Sequence, residues 1–387
     1  MNDRDVVIIE AVRTASGRKG GSLSGVHPVN LLSQVLAEVV RRAGVEPDVV
    51  EDVVCGCVDQ IGEQTANIGR NGLLMAGFPY TIPATTVDRQ CGSGQQAIHF
   101  AANLIQSGVV DAAIGCGVES MSRVPILSPM QSGHGFPIPP ELFEKYPFVM
   151  QGVAADMIAK QWDIKREQLD QYAYEGHVKA AKARGEGRFK REILPIKVAL
   201  EGVETTFDQD EGIRPDTTVE KLASLKPSFG EDGVHTAGTS SQISDGAAAM
   251  LLMSAAKAKE LGLKPRGRIV AQTVVGSDPV LMLTGPITAT PQVLDRAGLK
   301  LEDIDLFEIN EAFAAVIFAW EKELHPDLRK VNVNGGAIAL GHPLGCTGVK
   351  LMTTLLHELE RTGGRYGLQT MCCGGGIGTA TIIERLD

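Results

Sequence analysis

Apolar, β-branched runs alternate with amphipathic helical patterns at both ends of the chain, and this alternation limits the possible folds more than any other feature. The runs "VVIIEAVR", "VVEDVVCGCV", "TTVDRQC" and "DAAIGCGVE" read as strands. Between them lie the helical patterns "VNLLSQVLAEVVRRAGV", closed by Gly44, "TANIGRNGLLMAGF" and "SGQQAIHFAANLIQSG". Strands that are apolar throughout predict a parallel sheet covered by helices on both faces. At Ser122 the texture changes. The stretch "SRVPILSPMQSGHGFPIPPELFEKYPF" is rich in Pro, Gly and Ser and predicts an irregular excursion. Two helical stretches and a charged segment follow, up to "LKPSFGEDGVHTAGTSSQ", predicting a piece inserted over the core. From Arg266 the alternation returns. "GHPLGCTGVKLMTTLLHELERTGGRYGLQTMCCGGGIG" repeats the order of "CGSGQQAIHFAANLIQSGVVDAAIGCGVE", and "LEDIDLFEINEAFAA" parallels "VEDVVCGCVDQIGEQTAN". A duplicated α/β unit, two sheets around shared helices, is the economical expectation.

Composition narrows the function. At 387 residues the chain can bury an ample core without disulfides or a structural metal. Its net charge of −10, with scattered basic residues, argues against a nucleic-acid surface but not against an anionic ligand in a local pocket. No run is long and apolar enough for a membrane span, and the charged start "MNDRDVVIIEAVRT" enters a strand directly, so a cytoplasmic setting is expected. Seven cysteines without a secretory signal make a poor disulfide framework. Cys55 and Cys57 have no partner pair at zinc spacing, and adjacent Cys372 and Cys373 cannot easily share one tetrahedral ion, so no metal is expected.

Four places carry residue types suited to chemistry. Cys91 sits at a strand-to-helix elbow. Buried cysteines usually only pack, but unpaired N–H groups at a helix start lower a thiol's pKa below its free value of ~8.5. Gly92 and Gly94 would let a substrate approach the backbone, and the arrangement matches a nucleophile elbow with sulfur for oxygen. His342, in the glycine-dense "GGAIALGHPLG", would be the base if it faces Cys91. Asn310 opens "NEAFA", where helix capping is the ordinary explanation. In "MCCGGGIG", Cys372 offers a second sulfur and Gly374 an N–H for an oxyanion. "GCTGVK" breaks the Walker pattern, and no G-x-G-x-x-G opens a helix after the first strand.

Taken together, "CGSGQQA", "GVESMS", "HTAGTSSQISDGAAA", "NEAFA", "NGGAIALGHPLG" and "CCGGGIG" resemble the thiolase family, in order and over the whole chain. The resemblance implies a five-layered αβαβα fold of two similar halves plus an inserted loop domain. The boundaries would be 1–121 for the first half, completed by about 242–265, then 122–241 for the loop domain and 266–387 for the second half. It implies that Cys91 becomes acylated, His342 takes its proton and Cys372 is the second acid/base. Asn310 would hold a water that forms one oxyanion site with His342, and the N–H groups of Cys91 and Gly374 the other. Coenzyme A, a co-substrate and not a tightly bound cofactor, would meet Ser241, Ala237, Phe229 and Arg214, with Met150 and Phe313 at the acyl pocket. The expected partners are acyl-CoA substrates and CoA, without nucleic acid or membrane, in a homodimer or homotetramer. Met150, Gln151 and Gly152 stand where acetoacetyl-CoA thiolases carry His-Met-Gly. The expected activity is therefore degradative cleavage of bulkier 3-ketoacyl-CoA, as in bacterial steroid and branched-acid breakdown. A short-chain acetoacetyl-CoA thiolase is the alternative, and a ketoacyl synthase or an inactive CoA-binding scaffold the remoter ones. Cys91 and Cys372 would lie close enough to form a disulfide under oxidant.

Overall fold

The computed structural model describes residues 2–131, 133, 135–200 and 202–386. Its first part runs β1 (Val6–Thr14), α1 (Pro28–Ala43), β2 (Asp52–Gly56), α2 (Ile68–Met75), β3 (Ala84–Val87), α3 (Ser93–Gln106) and β4 (Ala112–Ser120). The following segment carries α4 (Gln151–Gln161), α5 (Arg166–Gly185) and a hairpin of β5 (Ile196–Leu200) and β6 (Val203–Phe207). Strand β7 (Ser244–Ser254) then re-enters the core. The last part comprises β8 (Gly267–Gly276), α6 (Gly285–Ala297), β9 (Leu306–Ile309), α7 (Ala314–Leu324), α8 (Leu344–Thr362), β10 (Tyr366–Cys373) and β11 (Ile377–Arg385).

Strand order makes the duplication visible. In the first half the order is β1-β7-β4-β2-β3, and in the second β8-β11-β10-β9, with Val331 bridging Phe307 in parallel as a vestigial fifth strand. In both halves the first two pairings are antiparallel and the remainder parallel. The expectation of an all-parallel sheet is thus corrected to a mixed one. A physical reason is plain in the second half. Only three residues join β10 to β11, with Gly375 and Gly376 at φ +80° and +79°, and so short a turn can only return the chain antiparallel. The halves meet through two antiparallel pairs, Val7↔Arg268 and Ile8↔Gly267.

Alternation along the strands builds the layers. On β7, Ala247, Ala249, Leu251 and Met253 face a core shared with α1, while Ala248, Met250 and Leu252 face one shared with α3 and α8. A third core packs β9, β10 and β11 against α6 and α7. Helices α3 and α8 therefore form the middle layer of five, buried between the sheets. In α8, every residue from Leu344 to Leu359 is buried. Helix α1 starts on His27, whose side chain accepts from the Val29 N–H, and stops at left-handed Gly44, φ +69°. Among the described residues no helix is long and apolar enough to cross a membrane.

Candidate active site

The segment between β3 and α3 is a stapled elbow. Ser93 Oγ accepts from the Arg89 N–H at 2.8 Å and donates to the Gln90 carbonyl at 2.6 Å. Gln90 is forced to φ +52°, a left-handed conformation costly for a non-glycine residue. The Gln90 N–H is satisfied by Asp88 Oδ1 at 2.7 Å. This places Cys91 one residue before the N-cap Gly92, packed with Met121, Leu344, Leu351 and Met371. Cys91 is 5% exposed. Burial pushes its thiol up to about 11; the N–H groups of Gly374 and of Cys91 itself, and the Gln151 side-chain amide, pull the other way.

Two sequence expectations are corrected here. The helix start does not leave Cys91 with a lowered pKa, because loss of solvent outweighs the donors around it. Nor do the glycines open the site to substrate. A Cβ on Gly92 would stand 2.6 Å from Cys373 Sγ, and one on Gly94 2.7 Å from the Gly345 carbonyl oxygen. They are bare so that α3 can close on β10 and α8.

His342 is 3% exposed, between the short helix Ala337–Leu340 and α8. Thr347 Oγ1 donates to the Pro343 carbonyl at 2.7 Å, so it accepts from His342 Nδ1 at 2.6 Å. That fixes the tautomer: Nε2 carries the lone pair, 3.4 Å from Asn310 Nδ2. Burial, then the Lys350 charge, push the imidazole down to about 3. Asn310 does not cap α7, whose N-cap is Phe313 without a side-chain bond. Its N–H donates to the Thr370 carbonyl at 3.1 Å, two residues before Cys372, and its Oδ1 is buried with no hydrogen-bond partner among the described residues. Cys372 is fully buried at the end of β10; burial, then the nearby Cys91 charge, raise its thiol. All seven cysteines are free and buried. Among the described residues no cluster of His, Cys, Asp and Glu is placed to hold a metal ion.

The residues expected around CoA fall into two sets. Phe313 stacks edge-on against both Phe229 (5.6 Å) and His235 (5.5 Å), and the Ser241 N–H donates to the Ala312 carbonyl at 2.9 Å, so these three surround the 310–313 loop. Ala237 is exposed, as is Arg214, whose N–H donates to His177 Nδ1 at 3.2 Å. Met150, the residue before α4, is 68% exposed.

Several residues that build the site were given no role by sequence reasoning. Glu119, fully buried at the end of β4, accepts from the N–H groups of Val58, Asp59 and Gly345 and from Gln64 Nε2. It ties the first half to the His342 loop; an acid in the otherwise apolar run before "SMS" was the available signal. Glu311 accepts from Tyr172 Oη, Asn332 Nδ2 and the Ile338 N–H, holding the start of the helix before His342. Gln151, named only as a departure in the loop segment, reaches the nucleophile itself.

The chain matches the family models "Thiolase, N-terminal domain" over residues 6–256 and "Thiolase, C-terminal domain" over 263–385. It is 48% identical to the steroid 3-ketoacyl-CoA thiolase FadA6 of Mycobacterium tuberculosis, covering 99% of this chain and 94% of that protein. It is 45% identical to a 3-ketoacyl-CoA thiolase of Bacillus subtilis, covering 98% and 99%. The acetyl-CoA acetyltransferase of Bacillus anthracis superposes with a TM-score of 0.92 at 45% identity, covering 99% of both chains. With both domain models matched end to end and full-length relatives near half identity, the chain belongs to the thiolase family.

Proposed function

We propose that this thiolase cleaves 3-ketoacyl-CoA with CoA, giving acetyl-CoA and a shortened acyl-CoA, through an acyl-Cys91 intermediate. The observations that carry the reading are the convergence of Cys91, the Gly374 N–H and Cys372, and the pairing of His342 Nε2 with Asn310, whose N–H is bonded to Thr370 on the strand that carries Cys372. With Cys91 up near 11 and His342 down near 3, both groups rest neutral. Proton transfer to His342 Nε2 then accompanies attack of Cys91 Sγ on the keto carbon. The resulting alkoxide sits against the N–H groups of Cys91 and Gly374. Its collapse breaks the bond between C2 and C3, and the electron pair leaves as the acetyl-CoA enolate. The protonated Nε2 of His342, with a water on Asn310, faces that enolate oxygen, and Cys372 Sγ delivers the proton to carbon. CoA then gives its thiol proton to Cys372 and attacks the thioester, and Cys91 leaves with the proton held by His342. Charge develops on two different carbonyl oxygens, which is why two donor sets are needed.

The degradative direction is supported by the names of the relatives and by Met150 and Gln151 standing where acetoacetyl-CoA thiolases carry His-Met; a cytoplasmic homo-oligomer is the setting we infer. The test is a thiolysis panel from acetoacetyl-CoA to long and ring-bearing 3-ketoacyl-CoA, following loss of enolate absorbance. Activity that grows with acyl bulk and vanishes in Cys91→Ala is expected. Cleavage confined to acetoacetyl-CoA would make this a short-chain acetyltransferase instead.

A further inference from the structure

The lysine of "GCTGVK" has no part in the chemistry above, yet it is buried in the middle layer. Lys350, on α8, is 3% exposed, and lysine is rarely so buried without a reason. Its Nζ donates to the carbonyl oxygens of Leu340 at 2.7 Å and Gly341 at 2.9 Å, the two residues immediately before His342. Both hydrogen bonds of this cation therefore go to the backbone of the histidine loop and neither to a carboxylate. The loop has little latitude. Gly341 stands at φ +81°, where a Cβ would lie 2.3 Å from Ser244 Oγ, and the His342 N–H is held by the Gln242 carbonyl at 3.2 Å.

The charges facing Lys350 come from four directions. Asp210 and Glu192 belong to the inserted segment, Arg13 to β1, Glu308 to β9, and Cys346 lies one turn earlier on α8. Asp210 already takes two N–H groups of Arg13, at 2.8 and 3.0 Å, so it does not divert Lys350 from the loop. His342 is the group on which the Lys350 charge acts from the side of the chemistry.

We propose that Lys350 is a positioning residue for His342: its ammonium fixes the loop that carries the imidazole, and its charge adds to burial in disfavouring a second cation there. The inference rests on the assignment of His342 as the base. It predicts two separable effects. Misplacing a catalytic group by about 1 Å costs up to about 10²-fold in rate. Removing a neighbouring positive charge lets the imidazole protonate at higher pH.

The experiment compares Lys350→Met and Lys350→Gln with the unaltered enzyme, on whichever 3-ketoacyl-CoA of the panel is cleaved fastest. For Lys350→Met, kcat should fall about 10²-fold while KM stays within about threefold. The acid limb of the kcat profile should move to higher pH. Lys350→Gln can donate to one carbonyl without carrying charge, so it should recover part of kcat and keep the shifted limb. If the Met variant fails to fold, the acid limb of the Gln variant decides. Unchanged kcat in Lys350→Met, or a loss that tracks thermal stability with the limb unmoved, would overturn the proposal. His342→Ala separates the two levels. Activity surviving in it refutes the base assignment, whereas an inactive His342→Ala beside normal Lys350 variants refutes only the role of Lys350.

Discussion

Burial raises the Cys91 thiol to about 11 while the Gly374 N–H, its own N–H and the Gln151 amide oppose that rise. A thiol so placed is protonated at neutral pH, and its reactivity toward a small alkylating agent must follow the thiolate fraction. Iodoacetamide modification of Cys91 should therefore keep accelerating, about tenfold per pH unit, from pH 7 to pH 10. A plateau below pH 9 would show that the elbow lowers the pKa after all. Gln151→Met removes one donor that favours the anion, so at pH 8 its alkylation should be slower by a factor of a few. An equal rate would exclude Gln151 from the sulfur's surroundings. These two residues mark what was legible at this scale. Cys91 was readable because a strand, a glycine pair and a helix surround it in sequence. Its pKa was not, because desolvation is set by Met121, Leu344, Leu351 and Met371, which arrive from elsewhere in the chain. Gln151 reaches the site from the inserted segment, and no local pattern marks such a residue.

At the scale of elements, the pairing of α3 with α8 decides whether the site exists. A Cβ on Gly348 would stand 2.0 Å from the Gln95 backbone nitrogen, and one on Gly117 2.1 Å from the Gly345 carbonyl oxygen. These contacts are backbone on backbone, so no side chain can swing away to relieve them. Gly348→Ala should cost about 1–3 kcal/mol or more of stability and separate Cys91 from His342, with kcat falling in parallel. Gly176→Ala is the control. That glycine is inside α5 with nothing within 4 Å of a Cβ position, so alanine should stabilise by roughly 0.4–1 kcal/mol. Denaturant unfolding of both variants checks the pair, and a well-tolerated Gly348→Ala would mean that the helices can part. The sequence showed where α3, α8 and their flanking strands lie, since apolar periodicity is local. It misassigned the glycines, because a bare backbone looks the same whether a substrate or another helix approaches it. It also missed the antiparallel strands, whose direction depends on where the chain returns and not on their composition.

Over the whole molecule, three segments distant in sequence are joined through one buried ion cluster. Arg13 of β1, fully buried, donates from Nε to Glu192 Oε1 at 2.6 Å and from both terminal nitrogens to Asp210. Thr354 of α8 donates to the same Glu192 oxygen at 3.0 Å, and the Ser16 N–H donates to Asp210 at 2.7 Å. Burial alone would raise Asp210; Arg13 and Lys350 outweigh it and hold the carboxyl below its ordinary value. First half, insertion and second half thus meet at two buried acids: Arg13 holds Asp210 down, while at Glu192 burial still outweighs Arg13 and raises the carboxyl. Arg13→Met leaves both without their fork, and breaking a buried pair from one side costs about 3–5 kcal/mol. Arg13→Lys keeps a charge but cannot span Glu192 and Asp210 together, so its loss should be intermediate. Urea unfolding at fixed protein concentration measures both, since any assembly between copies would couple stability to concentration. A cost below about 1 kcal/mol for Arg13→Met would mean that the insertion holds its place by apolar contact. A loss of the expected size, with kcat falling as the histidine loop loosens, would show that the clamp on His342 begins at Arg13, on the first strand of the chain.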